Sequence, residues 1–350
     1  MNMAVHDPNK VVRVACVGLG YWGPNVLRCF AQQADCELTC CCDLDEGRLA
    51  AVGRTYPKVS LTRDYAHLLA RPEVEAVVLT TPAATHYPMV RAALEAGKDV
   101  FVEKPLAVRL DEGEELVKLA DRGGRMLFVG HLLVYHPAVA RLREYVARGD
   151  LGDVLYMYAS RVNLGQVRME ENALWSLAPH DISVILYLLN QTPLEVVATG
   201  QSYVRDGLED VVFVTLRFPG RTLAHVHVSW LDPHKVRKLT VVGSRKMAVF
   251  DDMEAAEKIR LYDKGVDAAD AGHTPRDFLT VRSGDIHIPK VSTEEPLAIE
   301  CRRFLECVRT RRRPITDGEN GLRVLRVLDA AQASLRAGGR AIALELGSRP

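Results

Sequence analysis

The feature that most constrains this chain is the stretch from Val11 to Val26, where an apolar, β-branched run ends in three glycines. Helical apolar spacing follows the glycines, so the pattern predicts a buried strand, a tight turn and the start of a helix. In such a turn Gly18 permits the sharp bend, Gly20 lets the backbone approach a pyrophosphate, and Gly23 lets the helix lie close to the strand.

The start of that helix suits phosphate groups, because it has free N–H groups and a partial positive charge. We therefore predict a dinucleotide site, with Tyr21 and Trp22 of the glycine loop among the cofactor contacts. Asp43 lies 20 residues after Gly23, the spacing at which an acidic side chain meets the adenosine ribose. Negative charge over residues 43–46 disfavours a 2′-phosphate, so NAD is favoured over NADP. The alternative is a turn-forming aspartate at a strand end.

Composition limits the class of protein. The chain has 350 residues, of which 48% are hydrophobic and 26% charged, enough for two domains with packed cores. Lysine plus arginine and aspartate plus glutamate both number 45, which argues against nucleic acid or an anionic membrane as the main partner. The N-terminus lacks the apolar region of a signal peptide, and no apolar run is long enough to span a bilayer. We expect a cytoplasmic protein.

Eight cysteines are present, and Cys40, Cys41 and Cys42 are consecutive in a strand-like run. Alternate side chains of a strand point to opposite faces, so these three cannot converge on one metal ion. Cys301 and Cys307 lie six apart on a predicted helix and do not share a face well. We expect reduced, buried thiols and no metal site.

Residues 10–131 alternate between apolar strands and helices, which predicts a doubly wound parallel sheet covered on both faces. After the first strand, strands are predicted at Glu37–Cys42, Val74–Thr81, Asp99–Val102 and Arg125–Val129. Helices are predicted at Glu46–Tyr56, Tyr65–Leu69, Tyr87–Ala96 and Leu110–Asp121. The fold class is α/β, with an NAD-binding Rossmann domain over residues 1–132.

Beyond residue 132 the pattern predicts an α+β domain with an open, mainly antiparallel sheet, over residues 133–350. Strands are predicted at Val154–Arg161, Leu194–Gly200, Val211–Phe218, Leu223–Ser229, Val236–Gly243, Met247–Phe250 and Ile259–Tyr262. Helices are predicted at Pro137–Gly149, Pro179–Asn190, Pro296–Thr310 and Asn320–Ala337, and a loop at Gly265–Pro275. One sheet face would meet solvent or another subunit, so we expect a substrate-binding domain that also forms a homodimer or homotetramer.

Glu103, Lys104 and Pro105 directly follow a predicted parallel strand. Ligands of open α/β sheets lie at the carboxyl ends of the strands, so Glu103 and Lys104 are predicted to face the crevice at the glycine loop. Burial disfavours a charged lysine, which makes Lys104 a candidate proton acceptor for an alcohol undergoing oxidation. The alternative is a surface lysine at the start of a loop.

His180 is the second candidate for catalysis and for substrate contact. Pro179 and Asp181 suit a first helical turn, and His180 points away from the apolar stripe of the predicted helix. The alternative is a core histidine with satisfied hydrogen bonds.

Other polar side chains lie at strand ends or between strands. Those expected to bind hydroxyls or an anionic group of the substrate are Arg161, Asn163 and Arg168. Those expected beside the cofactor are Thr81, His86 and His131, together with Glu103 and Lys104. The alternative for the substrate set is a solvated loop.

With these residues in hand, the chain resembles the Gfo/Idh/MocA family of NAD(P)-dependent oxidoreductases over residues 11–345. The Glu103-Lys104-Pro105 motif after a Rossmann loop carries much of the resemblance. The sequences GLGYWGPN, WSLAPHDIS and DGENG are similar to the branch of UDP-N-acetylglucosamine 3-dehydrogenases and related nucleotide-sugar enzymes. The resemblance implies a Rossmann domain, a C-terminal α/β domain with an open sheet, dimers or tetramers formed through that sheet, and Lys104 and His180 acting on a sugar hydroxyl.

One position departs from the family. Many members carry an aspartate four residues before the histidine, where this chain has Ser176, and this shifts weight to Lys104. The resemblance implies NAD-dependent oxidation of a secondary hydroxyl, foremost C3 of a UDP-linked amino sugar, to a 3-keto sugar. Three alternatives stay open: an inositol or free-sugar dehydrogenase, a 3-ketosugar reductase, and a non-catalytic NAD-binding regulator.

Overall fold

The computed structural model describes residues 10–165, 171–267 and 280–344. They form two compact units, the first within Met1–Tyr135 and Glu294–Leu325, the second within His136–Thr293 and Arg326–Pro350. The first break lies next to the boundary predicted at residue 132, whereas Glu294–Leu325, predicted for the second domain, belongs to the first unit. Among the helices of these described ranges, none has the length and apolar character that crossing a membrane requires.

The first unit contains a six-stranded sheet in the order β3-β2-β1-β4-β5-β6, and every pairing is parallel. Its strands are β1 (Val12–Val17), β2 (Cys36–Cys42), β3 (Ser60–Thr62), β4 (Ala76–Leu79), β5 (Asp99–Glu103) and β6 (Leu127–Gly130). The predicted doubly wound sheet is confirmed, and the short β3 is an addition to it. In this order the sheet reverses its growth between β1 and β4, and ligands bind at the carboxyl ends of the strands there.

The α-helices of the described residues flank the two sheets. They are α1 (Gly23–Ala31), α2 (Glu46–Thr55), α3 (Tyr65–Ala70), α4 (His86–Glu95), α5 (Leu110–Gly123), α6 (Pro137–Ala147), α7 (Ala173–Leu189), α8 (Pro296–Thr310) and α9 (Gly318–Arg336). Several begin at a side-chain cap: the carboxylate of Asp45, for example, accepts hydrogen bonds from the backbone N–H groups of Gly47 and Arg48 at the start of α2.

An aromatic cluster explains why α8 joins the first unit. Phe30 of α1, Phe101 of β5 and Phe128 of β6 are fully buried, and Phe304 of α8 packs against all three at centroid distances of 5.9, 5.6 and 5.5 Å. Burying a side chain of this size stabilises a fold by about 1.5–3 kcal/mol, so α8 is held on this sheet by its aromatic face.

The second unit contains a nine-stranded sheet in the order β14-β13-β12-β11-β7-β10-β9-β8-β15. Its strands are β7 (Val154–Val162), β8 (Glu195–Gln201), β9 (Val211–Arg217), β10 (Leu223–Ser229), β11 (Val236–Gly243), β12 (Met247–Asp251), β13 (Ile259–Asp267), β14 (Thr280–His287) and β15 (Ile342–Ala343). Its pairings are antiparallel except that of β7 with β10, so the predicted mainly antiparallel sheet is confirmed. Residues 265–267 of the predicted loop belong to β13, and the rest of that loop lies outside the described residues.

The start predicted for helix α7 is wrong. The helix begins at Ala173, where the side chain of Asn172 accepts a hydrogen bond from the Trp175 N–H at 3.1 Å, and Pro179 lies inside the helix. The residues before Pro179 form helices well, and the cap satisfies a free N–H group, so the helix extends through a proline that the sequence pattern treats as a start.

Candidate active site

The glycine loop of the first unit leaves no room for side chains at two positions. Gly18 has a φ of +89°, and a methyl group on Gly23 would lie 2.1 Å from the carbonyl oxygen of Gly18. At Gly20 the nearest atom to such a methyl group, on Arg48, would be 3.8 Å away. The first and third glycines are therefore needed by the turn itself, whereas Gly20 keeps an open approach to the backbone.

The carboxylate of Asp43 is fixed against this loop at the end of β2. Its Oδ2 accepts a hydrogen bond from the Leu19 N–H at 2.5 Å, and its Oδ1 accepts one from the Asp45 N–H at 2.8 Å. Arg48 lies 3.7 Å from the same carboxylate. A tight glycine turn, a helix start and a buried carboxylate at the end of the next strand fit the pyrophosphate and ribose of a dinucleotide.

A hydrogen bond joins the glycine loop to the end of β5. The indole Nε1–H of Trp22 donates to Glu103 Oε1 at 2.8 Å, and Gly130 of β6 lies against the other side of this carboxylate. Burial raises the pKa of Glu103 to about 7, although the indole donor and the charge of Lys104 act to lower it. Tyr21, the neighbouring loop residue, is 94% exposed.

Lys104 is half-buried at this corner, and its peptide bond to Pro105 is cis. Its charge influences two histidines of the same unit. Burial, and next the charge of Lys104, lower the pKa of His131 to about 3, so that imidazole is neutral at physiological pH. The ring of His131 is 1% exposed, and neither ring nitrogen has a hydrogen-bond partner within the described residues.

His86 binds protein rather than facing an open site. Its Nδ1 lies 2.7 Å from the Pro105 carbonyl oxygen and its Nε2 lies 2.9 Å from that of Thr81. The ring is fully buried, and burial lowers its pKa. Both nitrogens therefore lie within hydrogen-bond distance of backbone carbonyl oxygens, and a neutral ring donates to one of them. We propose that His86 positions the segment after Lys104, and its contact with the cofactor stays a prediction. Thr81 is half-buried, and its hydroxyl accepts a hydrogen bond from Thr85 at 2.9 Å.

A buried acid near Glu103 was missed by the sequence analysis. Glu300 of α8 is 0% exposed, and among the described residues neither of its carboxyl oxygens has a hydrogen-bond partner. It lies one helical turn before Phe304, which packs on Phe101, two residues before Glu103 on the same face of β5. Burial, and next the charge of Glu103, raise the pKa of Glu300 well above its ordinary value. In the sequence, Glu300 occupies a position of α8 at which the helical spacing places apolar core residues. A glutamate at such a position is the signal that could have identified it.

The second unit holds the other candidate catalytic residue. His180 lies in the middle of α7, not in its first turn, and is half-buried. The next residue, Asp181, accepts two hydrogen bonds from the guanidinium of Arg161 on β7, from Nε at 2.7 Å and from Nη2 at 3.0 Å. Arg161 thus has a protein partner, and its bidentate pair fixes α7 on β7. Its contact with substrate stays a prediction.

The remaining predicted substrate residues are only partly described. Asn163 lies just beyond β7, half-buried, and its N–H donates to the Ser229 carbonyl at 3.2 Å. Arg168 lies outside the described residues. Ser176, the position that departs from the family, is buried in α7. Within the second unit the structure therefore brings Arg161 of β7 to Asp181, the residue that follows His180 in α7.

Comparison with known proteins agrees with these two units. A family model described as "Oxidoreductase family, NAD-binding Rossmann fold" matches residues 12–131, and one described as "GFO/IDH/MocA C-terminal domain" matches residues 139–249. A solved structure from Magnetospirillum magnetotacticum MS-1 is 31% identical, with a TM-score of 0.78, and the match covers 92% of this chain and 99% of that one.

Two characterised relatives are more distant. UDP-N-acetylglucosamine 3-dehydrogenase of Acidithiobacillus ferrooxidans is 27% identical over 322 residues, 90% of this chain and 94% of that protein. The NAD⁺-dependent scyllo-inositol 2-dehydrogenase of Bacillus subtilis is 26% identical over 345 residues, 93% of this chain and 95% of that protein.

Proposed function

The chain belongs to the Gfo/Idh/MocA family of NAD-binding oxidoreductases, and from that premise we propose that it oxidises C3 of a UDP-linked amino sugar to a 3-keto sugar. The observation that best supports an oxidoreductase is the hydrogen bond from Trp22 to Glu103 at 2.8 Å. It joins the dinucleotide loop to the end of the strand that precedes Lys104. A half-buried lysine beside a dinucleotide loop is a candidate catalytic group, which favours an enzyme over a non-catalytic binding protein.

The cofactor of this family is NAD, and it fits the loop formed by Gly18, Gly23 and Asp43. Bound NAD⁺ supplies the hydride acceptor. The chain supplies orientation and proton transfer: Lys104 and His180 hold the sugar hydroxyl, and one of them accepts its proton, either at Nζ of the lysine in its neutral amine form or at a ring nitrogen. The Arg161–Asp181 pair keeps the helix that carries His180 in place.

The choice of substrate rests on likeness alone. A UDP-linked amino sugar is favoured by the GLGYWGPN, WSLAPHDIS and DGENG sequences and by the dehydrogenase of Acidithiobacillus ferrooxidans. An inositol is the second candidate, favoured by the relative from Bacillus subtilis.

We also propose that the chain forms a homo-oligomer through the sheet of its second unit. Tyr156 and Tyr158 of β7, Phe213 of β9 and Leu223 of β10 lie on one face of that sheet, as their register shows, and each is at least 40% exposed. An exposed sheet face that carries four large apolar side chains marks an interaction surface. Light scattering should give a dimer or tetramer mass, and a monomer at micromolar concentration would refute this proposal.

The test of the proposed function is a substrate panel with NAD⁺, followed by NADH absorbance. The panel contains UDP-N-acetylglucosamine, scyllo- and myo-inositol, and free hexoses, and we expect turnover of the UDP sugar. Turnover of an inositol alone would favour the second candidate. Reduction of a 3-keto sugar with NADH, without the forward reaction, would indicate a reductase, and no turnover with any of them would favour the non-catalytic regulator.

A further inference from the structure

A second arginine lies beside the Arg161–Asp181 pair. Arg237 of β11 is directly opposite Arg161 of β7 in the antiparallel register. Opposite residues in such a pair point to the same face, so Arg237 lies on the face of Arg161 and Asp181. Leu239 and Val241, which follow at alternate positions of β11, are buried on that face. Arg237 is therefore at the charged end of an otherwise apolar face, next to the ion pair whose aspartate, Asp181, follows His180 in the chain.

The two arginines differ in how well their charges are neutralised. Arg161 has both oxygens of Asp181 within 3.0 Å. The acid of Arg237 is Asp252, 3.8 Å away, and that carboxylate also lies 3.9 Å from the Lys258 ammonium. Asp252 is thus shared between two cations at longer distances, whereas Asp181 forms two short hydrogen bonds with Arg161.

The surroundings of Arg237 disfavour its charge. Burial, and next the charge of Arg161, lower its pKa, and the charges of Asp252 and Asp181 offset this in part. The other group near Asp252 is His136, at 3.7 Å, and burial lowers the pKa of this imidazole. Like charges directly opposite on neighbouring strands are unfavourable, so a bound anion would stabilise this end of the sheet. The Arg237 side chain is still 40% exposed, so an anion has access to it.

We propose that Arg237 binds an anionic group of the substrate, a phosphate or a carboxylate, beside His180. A guanidinium binds either group through two parallel hydrogen bonds. The identity of the anion as part of a substrate rests on the proposed function. Binding of an anion at Arg237 does not require turnover. A UDP sugar would bring the phosphate, and a sugar acid would bring the carboxylate.

The experiment measures binding by calorimetry on the full chain with saturating NAD⁺. The probes are UDP, inorganic pyrophosphate and D-glucuronate, and the variants are R237Q and R237K. The matched control is R260Q, on β13 of the same sheet, where Arg260 is already held by Glu257 at 2.7 Å. We expect R237Q to lower the affinity for the anion by about 10- to 100-fold and R260Q to leave it unchanged. The affinity of R237K should lie between those of R237Q and the unchanged chain.

The probe that loses affinity identifies the source of the anion: UDP and pyrophosphate for a phosphate, glucuronate for a carboxylate. Equal affinity in R237Q and the unchanged chain, or no binding of any probe by the unchanged chain, would overturn the proposal. R237Q should keep its melting temperature, because it removes a like-charge pair, and a marked drop would assign Arg237 a structural role instead. Failure of the sugar panel leaves these binding results intact, so the two proposals fail separately.

Discussion

Arg161 and Asp181 form a buried, bidentate ion pair between β7 and α7, with nitrogen–oxygen distances of 2.7 and 3.0 Å. The two residues are 6% and 5% exposed. The pair holds the helix that carries His180. Arg161 was predicted to bind substrate, and Asp181 was predicted to lie in a first helical turn.

Asp181→Asn should destabilise the second unit strongly, because it leaves the buried guanidinium of Arg161 without a countercharge. Breaking one partner of a buried pair costs about 3–5 kcal/mol, measurable by urea denaturation. The control is Glu195→Gln, which breaks the exposed Arg217–Glu195 pair at 3.1 Å in the same sheet and should cost about 1 kcal/mol or less. Equal losses in the free energy of unfolding for both variants would show that the buried pair contributes no more to stability than the exposed one.

Lys104→Ala should abolish turnover and leave NAD binding nearly unchanged, because the loop that fits the dinucleotide does not depend on this ammonium. Loss of an acid–base group lowers the rate by about 10²- to 10⁴-fold. The measurements are kcat and the dissociation constant of NADH by fluorescence. Lys118→Ala, at an exposed position of α5, is the control. Full activity of the Lys104 variant would contradict the proposed mechanism.

Trp22→Phe should change the pH dependence of catalysis. The indole donor lowers the pKa of Glu103, which lies at about 7, so its removal raises that pKa further. If catalysis needs the carboxylate ionised, the acid limb of kcat/KM moves to higher pH, and activity at pH 8–9 is retained. Tyr21→Phe, in the exposed neighbour, should leave the profile unchanged. An acid limb that stays in place in Trp22→Phe would separate Glu103 from catalysis.

Glu300→Gln should stabilise the protein increasingly as the pH rises. In the folded state the pKa of Glu300 is raised well above its ordinary value of 4.5, so the folded chain keeps a proton that the unfolded chain loses. Below pH 4.5 both states are protonated and the variant gains nothing.

Above that pH, the free energy of unfolding of the unchanged chain falls by about 1.4 kcal/mol per pH unit relative to Glu300→Gln, until the folded-state pKa is reached. Urea denaturation between pH 4 and 9 measures this difference. Glu306→Gln, at a partly exposed position of the same helix, is the control. A difference that does not change with pH would mean that Glu300 is ionised in the fold.

Local pattern was sufficient for most elements and for one half of the candidate site. The strands Leu223–Ser229 and Val236–Gly243 have the predicted bounds, because their valine-containing runs end at turn residues. The carboxylate of Asp43 lies at the glycine loop, as the spacing from Gly23 predicts. The start of α7 could not be placed, because a cap seven residues before Pro179 competes with the local signal of that proline.

The sequence by itself determined the dinucleotide loop, because the sharp turn and the close packing of α1 act between residues that are near in the chain. Only the tertiary structure decided which side chains meet across the fold. It paired Arg161 with Asp181, set Arg237 opposite Arg161 and buried Glu300 near Glu103. The physical reason is that periodicity gives the face on which a side chain lies, whereas its electrostatic partners depend on strand order and helix packing, which bring distant segments together.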